Sequence, residues 1–453
     1  MKTVFVVGAG PAGMFAAQKI ALAGHQVVIL NRDIKPGGLA EYGIYLVKDK
    51  MKSGLRKQFA KVLSLPNVYY FGHVPVGTKQ AITVDDLRGF HPDAIVFSIG
   101  AQGTKKLGLP GEDAKGVYSA KDFVYFYNSL PPFASQDFST GRKIAIVGMG
   151  NVMVDIARWV LLDCPDRKTE ELTIVARRGP FEAKFDEKEI KYVEAHLDRE
   201  LLKAEMQRCA DRVAAVGQDI TKADEVFSIL KKTDVVQTSP VMKFRFLCSP
   251  KEIVKGPDGR ICKLVVTENN LVKKGEGTAA KATDRTAELD IDTMIFAIGD
   301  VHDPNLGLPM GPEGYSTKPV QGDERSLYQV ADPQTGAEME GYFVVGWARR
   351  ASDGLVGIAR HDAEVGATHV LDYLQGKPEK GAAPVETIEN TLRTRGVLPV
   401  NKAELALLAK AEEKEAQARN LTYFKYSDDT SMLRAITREK NSTSAPTMAG
   451  AGD

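Results

Sequence analysis

The sequence predicts an α/β fold built from two parallel-sheet domains, the second inserted into the first, and two similar motifs predict it. A glycine-rich motif, Gly8-Ala9-Gly10-Pro11-Ala12-Gly13, directly follows the apolar run Val4–Val7. A second motif, Gly148-Met149-Gly150-Asn151-Val152-Met153, follows Ile144–Val147 in the same way. A strand, a tight glycine turn and a helix whose N-terminus faces a diphosphate form the dinucleotide-binding unit of a Rossmann-like domain. Two such units in one chain indicate two bound dinucleotides.

Two later apolar runs support this division. Asp93–Ile99 is followed by Gly100, and Asp292–Ile298 is followed by Gly299. Each run has the pattern of a buried strand that closes one of the two units. We therefore expect the first domain in residues 1–102, the second in 103–335, and a return to the first in 336–440 with a C-terminal extension. The small, polar residues 441–453 are expected to be a disordered tail.

The composition is that of an ordinary globular protein. Of the 453 residues, 43% are apolar and 26% charged, and the formal net charge is +1. No global field therefore favours nucleic acid or an anionic membrane. No apolar run is long enough to span a bilayer, and the first predicted strand begins almost at Met1, without a preceding signal peptide. We expect a cytoplasmic location.

The cysteines give no redox motif. Cys164, Cys209, Cys248 and Cys262 are far apart in sequence, so no Cys-x-x-Cys pair and no iron–sulfur pattern is formed. Four inert thiols are the expected outcome, and no metal site is predicted. Because the chain has no redox disulfide or cluster motif of its own, electrons that enter this protein would have to pass to another molecule.

The first motif assigns distinct roles to its residues. Gly8 permits the turn, Gly10 lets the backbone approach a phosphate, and Gly13 lets the helix that starts at Pro11 and Ala12 pack on the strand. An acidic residue usually ends the second strand and binds a ribose hydroxyl. Asn31 occupies that position here, so its predicted contact with the ribose lacks charge.

The second motif predicts a nicotinamide nucleotide. Gly148, Gly150, Asn151 and Val152 form its turn and helix start, and Met153 replaces the third glycine, which predicts looser packing of helix on sheet. Arg177-Arg178 follow the next strand, where the 2′ substituent of a ribose is bound. Guanidinium groups bind phosphate in a planar, bidentate way, so the pair predicts NADP(H). The alternative is a pair of surface cations.

A third segment predicts a flavin contact. Gly346-Trp347 is followed by Gly354-Leu355-Val356, where a helix begins. The positive end of that helix would stabilise a reduced, anionic isoalloxazine ring. The alternative is a buried tryptophan and a helix start without a ligand.

These motifs together resemble adrenodoxin reductase-type ferredoxin–NADP reductases, within the glutathione-reductase-like flavoproteins that bind two dinucleotides. The similarity covers most of the chain and depends on Leu109–Asp113, Gly150–Arg158, Arg177–Pro180 with Glu189, and Arg393–Val397. It implies FAD in the first domain, NADP(H) in the second and an external ferredoxin-like iron–sulfur protein as acceptor. It also implies cofactor contacts at Gly38, Leu39, Gly100 and Glu189, and positioning of the reacting rings by Asp155, Glu189 and Trp347.

The chain departs from the family pattern at three places. Val47-Lys48 replace an aspartate–histidine pair, Arg349–Gly354 replace a lysine- and proline-containing turn, and the basic cluster for an acidic partner is reduced to Lys222, Lys231 and Lys232. The leading hypothesis is an oxidoreductase that moves hydride between NADP(H) and flavin and single electrons to a ferredoxin. The alternatives are a flavin subunit of a larger glutamate synthase-like or electron-bifurcating complex, with clusters on a partner subunit, and a non-catalytic nucleotide-binding scaffold.

Overall fold

The structure is a computed structural model, and it describes residues 1–166, 168–232, 237–351 and 356–444. The strands, in chain order, are β1 Thr3–Val7, β2 Gln26–Leu30, β3 Val68–Phe71, β4 Ala94–Phe97, β5 Gly103–Thr104, β6 Val117–Ser119, β7 Lys143–Val147, β8 Glu171–Val175, β9 Val241–Arg245, β10 Cys248–Lys255, β11 Ile261–Lys274, β12 Gly277–Asp290, β13 Thr293–Phe296, β14 Asp300–Val301, β15 Met310–Gly311, β16 Gly314–Tyr315, β17 Gln329–Ala331 and β18 Glu338–Val344.

The α-helices, in chain order, are α1 Pro11–Leu22, α2 Leu39–Tyr42, α3 Asp49–Leu63, α4 Val84–Gly89, α5 Ala120–Tyr127, α6 Asn151–Arg158, α7 Glu187–Ile190, α8 Arg199–Ala214, α9 Val356–Leu374, α10 Val385–Thr394, α11 Lys402–Ala418 and α12 Asp429–Ser444. Within the described residues, no helix is both long and apolar enough to cross a membrane.

The chain divides into two compact units. Unit 1 consists of residues 1–104, 127–135 and 299–453, and unit 2 of residues 105–126 and 136–298. Residues 299–335, which the sequence analysis assigned to the second domain, therefore group with unit 1. The reason is strand pairing: of the four strands in this stretch, β14 pairs with β5 and β17 pairs with β18, both in unit 1, while β15 and β16 pair with each other.

Unit 1 contains a six-stranded sheet in the order β17-β18-β4-β1-β2-β3. All neighbours are parallel except β17 and β18. Val4 and Val6 of β1 pack with α1 and α9 on one face, whereas Phe5 and Val7 pack into a second core on the other. Burial on both faces explains the continuous apolar runs of this sheet. The predicted parallel-sheet fold is confirmed here.

Unit 2 contains a parallel sheet in the order β6-β13-β7-β8-β9, with β10, β11 and β12 forming a separate antiparallel sheet. Pro257–Gly259 form the turn that joins β10 to β11. The charged stretch 186–232 contains the sixteen-residue α8 among short helical turns.

The C-terminal segment of unit 1 forms helices that pack on the rest of that unit. Leu408 of α11 and Met432 of α12 share a small core with Ile34 and Val400. Helix α12 continues through Ser444, so the first four residues of the predicted disordered tail, 441–444, are helical. The remaining tail residues lie outside the described part of the chain.

Candidate functional site

The first glycine motif forms the expected strand–turn–helix in unit 1. Gly8 has a φ of +103°, and a Cβ there would lie 2.7 Å from the Ser98 carbonyl oxygen. A Cβ on Gly13 would lie 2.0 Å from the Gly8 carbonyl oxygen. The fold itself therefore requires both glycines, because neither position has space for a side chain.

Gly10 is different, because the protein does not fill the space beside it. Chain neighbours aside, no heavy atom of the described residues lies within 4 Å of where its Cβ would stand. Gly10 is also the N-cap of α1, which Pro11 begins, and no described side chain caps this helix end. Open space at an uncapped helix N-terminus fits the diphosphate of a dinucleotide.

The loop between β2 and α2 lies against this turn. The Gly37 amide donates to the Ala9 carbonyl oxygen at 2.7 Å. A Cβ on Gly38 would lie 3.0 Å from the Gly10 Cα. Leu39 then begins α2. The predicted FAD contacts at Gly38 and Leu39 are thus brought to the same turn as Gly10, and they remain predictions.

Asn31 has a structural role that sequence reasoning missed. Its buried Oδ1 accepts the Ala9 amide at 2.9 Å, and its Nδ2 donates to the carbonyl oxygens of Asp33 at 2.8 Å and Lys35 at 3.1 Å. Nδ2 also lies 3.2 Å from the Tyr70 hydroxyl. The side chain thus holds the loop to the first motif. Its predicted contact with a ribose is untested.

The turn after β18 also reaches the first motif. A Cβ on Gly346 would lie 2.5 Å from the Ala12 Cβ. The Gly346 amide donates to Asp362 Oδ2 at 2.6 Å, and Arg349 Nε donates to Asp362 Oδ1 at 3.0 Å. Asp362 of α9 therefore fixes this turn, a role that no local sequence signal indicated.

The structure describes three of the other residues predicted to contact FAD: Trp347, Val356 and Gly100. Trp347 is half-buried in the fixed turn, and Val356 begins α9. Gly100, with a φ of +72°, follows β4 at the carboxyl end of the sheet. Gly354 and Leu355 lie outside the described residues.

The second motif repeats the arrangement in unit 2. A Cβ on Gly148 would lie 2.3 Å from the Ala297 carbonyl oxygen, whereas a Cβ on Gly150 would meet no described atom within 4 Å. Asn151 holds the neighbouring loop, because its Oδ1 accepts the Asp186 amide at 2.8 Å and its Nδ2 donates to Asp186 Oδ2 at 2.9 Å. Met153, at the position of the third glycine, is completely buried, and the looser packing predicted from it stays a prediction.

The turn after β8 presents the arginine pair. Its backbone is fixed, because the Leu247 amide donates to the Arg178 carbonyl oxygen at 3.1 Å and Asn269 Nδ2 donates to the Arg177 carbonyl oxygen at 2.9 Å. The exposed Arg177 guanidinium has no hydrogen bond or ion pair with any described residue, and Arg178 makes one long contact, 3.4 Å, to the Thr278 carbonyl oxygen. Both are available to a phosphate.

The remaining predicted residues of unit 2 lie beside its glycine turn. Val152 and Asp155 belong to α6, Val152 being exposed and Asp155 half-buried, and Glu189 is half-buried on α7. Two of the three lysines of the reduced basic cluster form ion pairs: Lys231 lies 3.2 Å from Asp224, and Lys232 pairs with Glu194.

A buried ionic cluster surrounds Glu41 of α2, the helix that follows the loop after β2. We call Glu41, Arg56, Tyr423 and Lys425 the Glu41 cluster. Arg56 Nε and Nη2 donate to the two Glu41 oxygens at 2.7 and 3.0 Å, and Lys425 Nζ and the Tyr423 hydroxyl donate to Oε1 at 3.1 and 3.2 Å. Burial alone would raise the pKa of Glu41, but the positive charges of Arg56, Lys425 and nearby Lys35 outweigh it and lower the pKa to about 2.

This pKa predicts an acid-sensitive contribution to stability. The folded-state pKa of Glu41 is below its ordinary value of 4.5, so the stabilisation is complete above that pH and is lost as the pH falls toward 2. We expect the wild-type protein to lose about 3 kcal/mol more unfolding free energy in this window than Glu41→Gln does. Urea unfolding from pH 5 to pH 2 measures it. Asp113→Asn, which removes a carboxylate with an 81% exposed side chain, is the control; equal losses in wild type and Glu41→Gln would contradict the expectation.

Two parallel-sheet units, each with a glycine turn open to a ligand, define a protein that binds two dinucleotides. The chain belongs to the pyridine nucleotide-disulphide oxidoreductase family, whose family model matches residues 2–308, and it is an oxidoreductase.

Its four cysteines are free thiols, three buried and Cys262 exposed. In the described residues, no group of three or more histidine, cysteine or acidic side chains is placed to hold a metal ion.

Named relatives are similar over most of the chain. NADPH-ferredoxin reductase FprA of Mycobacterium leprae is 31% identical over 408 residues, covering 82% of this chain and 84% of the relative. The mitochondrial NADPH:adrenodoxin oxidoreductase of Bos taurus is 28% identical, covering 96% and 92%. The structure of Mycobacterium tuberculosis FprA in complex with NADPH has a TM-score of 0.80 at 26% identity, covering 96% and 99%. The predicted family resemblance and fold class are confirmed.

Proposed function

We propose that this protein is an FAD-containing oxidoreductase that accepts hydride from NADPH and passes single electrons to a ferredoxin-like iron–sulfur protein. The observation that carries the proposal is the pair of glycine turns, each open to a ligand at an uncapped helix N-terminus, together with the arginine pair Arg177-Arg178 that follows β8 in unit 2. The names of the relatives, which specify NADPH, ferredoxin and adrenodoxin, support the same reaction.

The residues of unit 1 would hold the FAD. The amides at the start of α1 and the open face of Gly10 suit its diphosphate, and the turn at Gly346 and Trp347 suits its ring. FAD supplies the chemistry, because it takes two electrons as a hydride and can release them singly. The protein therefore needs to position and shield the ring rather than supply an acid or base.

The residues of unit 2 would hold NADP(H). Gly150, Asn151 and Val152 suit the diphosphate, and Arg177 with Arg178 suits the 2′-phosphate through charge-assisted hydrogen bonds. We propose positioning roles for Asp155 and Glu189 toward the nicotinamide. The cytoplasmic location expected from the sequence also remains a proposal, since the named relatives include mitochondrial proteins.

A visible spectrum of the purified protein, titrated without oxygen, tests the proposal. We expect a yellow protein that is bleached at low NADPH and only weakly by NADH, and whose electrons reduce cytochrome c when a ferredoxin is added. A colourless protein would overturn the FAD assignment and favour the scaffold. A yellow protein that neither nucleotide bleaches would favour the subunit of a larger complex.

A further inference from the structure

The loop between β2 and α2 is held from two sides within unit 1. On one side, the first glycine motif contacts it through Asn31 and Gly37. On the other, Ile34 packs in the core of α11 and α12, and Lys35 Nζ forms an ion pair with Glu412 of α11. The C-terminal helices thus pack directly on the segment that borders the proposed FAD diphosphate site.

The Glu41 cluster continues this contact onto α2. Glu41 is 4% exposed and lies three residues after Gly38, which itself lies against Gly10. Two of its partners come from the segment 421–426, far away in sequence: Tyr423 and Lys425. Lys425 Nζ also lies 4.5 Å from the centre of the Tyr42 ring. We call α11 together with residues 421–426 the C-terminal clamp.

The charges of this region make the contact sensitive to single substitutions. The buried or mostly buried cations Lys35, Arg56 and Lys425 face the carboxylates Glu41 and Glu412. Among these buried groups cations outnumber carboxylates, and the one further carboxylate that pairs with Arg56, Asp49 at 3.4 Å, is exposed. Loss of Glu41 would leave Arg56 and Lys425 without their shared partner in a buried setting, which is strongly unfavourable.

We propose that the C-terminal clamp controls how tightly FAD is retained, with Glu41 as the positioning residue that fixes α2 against the glycine turn. The proposal rests on the proposed binding of FAD by unit 1. It gives the C-terminal helices a role beyond covering the sheet, because the clamp and the diphosphate site share one loop. Coupling of this kind is reciprocal: bound FAD should also hold the clamp in place.

The release of FAD from the holoprotein tests the proposal. Flavin fluorescence after dilution gives the release rate for wild type, Glu41→Gln, Lys425→Met and Lys425→Arg. We expect release to be faster by about tenfold or more in the first two variants and near the wild-type rate in Lys425→Arg, which keeps the charge. Lys377→Met is the matched control, because Lys377 lies in unit 1 but outside the clamp, where it pairs with the exposed Glu340 of β18.

A second readout separates retention of FAD from general damage. Binding of 2′,5′-ADP to unit 2 should be unchanged in every variant. If Glu41→Gln and Lys425→Met release FAD within about twofold of the wild-type rate, or if Lys377→Met releases it as fast as they do, the clamp proposal is wrong. A wild-type protein that contains no FAD would instead overturn the proposed function, and the clamp with it.

Wild-type protein alone provides an independent test if a variant does not fold. Hydrogen exchange of residues 37–43 and 421–426 is compared with and without bound FAD. Reciprocal coupling predicts that removal of FAD increases exchange in both segments, and that α4, which lies outside the clamp, is unaffected. Unchanged protection of 421–426 after removal of FAD would overturn the proposal.

Discussion

Replacement of Gly10 by valine should greatly weaken FAD binding and leave the protein folded. The Gly10 backbone, with φ −71° and ψ −179°, is one that valine adopts, and its Cβ would meet no described protein atom within 4 Å beyond its chain neighbours. In the proposed complex this space belongs to the diphosphate, so the branched side chain and the ligand would exclude each other. We expect the affinity for FAD to fall by about a hundredfold or more. The visible spectrum measures the bound flavin, and circular dichroism measures the fold.

Two further glycine variants make this prediction specific. Gly150→Val occupies the equivalent open position in unit 2, so it should retain FAD and lose reduction by NADPH. Gly13→Val should damage unit 1 itself, because its Cβ would lie 2.0 Å from the Gly8 carbonyl oxygen. A folded Gly10→Val protein that binds FAD as tightly as the wild type would show that the diphosphate does not lie at this turn.

The sequence predicted the parts of each site that depend on neighbouring residues. A strand, a glycine turn and a helix start are contiguous, so residues 4–13 and 144–153 contain their own structural information. The arginine pair could be placed at the carboxyl end of a strand for the same reason. Parallel strands bring these ends to one edge of the sheet, so motifs far apart in sequence meet without any further signal.

The sequence did not predict contacts between residues that only the tertiary fold brings together. Glu41 and Lys425 are 384 positions apart, and neither lies in a recognisable motif. Asn31 was read as a ligand contact because of its position after β2, whereas its hydrogen bonds to Ala9 and the following loop became visible only in the structure. The same limit applies to residues 299–335, whose membership of unit 1 depends on pairing with distant strands.

Removal of both guanidinium groups, in the double variant Arg177→Ala with Arg178→Ala, should eliminate the preference for NADPH over NADH. Each charge-assisted hydrogen bond to the 2′-phosphate is worth about 1.5–3 kcal/mol, so kcat/KM for NADPH should fall roughly a hundredfold or more. NADH lacks the phosphate, so its kcat/KM should change little. Steady-state kinetics in a ferredoxin-coupled assay give kcat/KM for NADPH and for NADH in the wild type and in the double variant. The turn should keep its shape, because the Leu247 amide and Asn269 Nδ2 hold it through backbone carbonyl oxygens that alanine retains.

Arg142→Ala is the matched control for this loss of charge. Arg142 is also in unit 2, but its exposed side chain pairs with Glu170 at the start of the sheet rather than at its carboxyl end. If positive charge simply speeds the approach of the nucleotide, kcat/KM for NADPH should fall in both the double variant and Arg142→Ala. That fall should become smaller as the salt concentration rises. Specific recognition of the phosphate predicts a loss in the double variant alone, mainly in KM, because the 2′-phosphate is bound equally in the ground and transition states. If the double variant still prefers NADPH by its original factor, the arginine pair is a surface feature and another part of unit 2 selects the nucleotide.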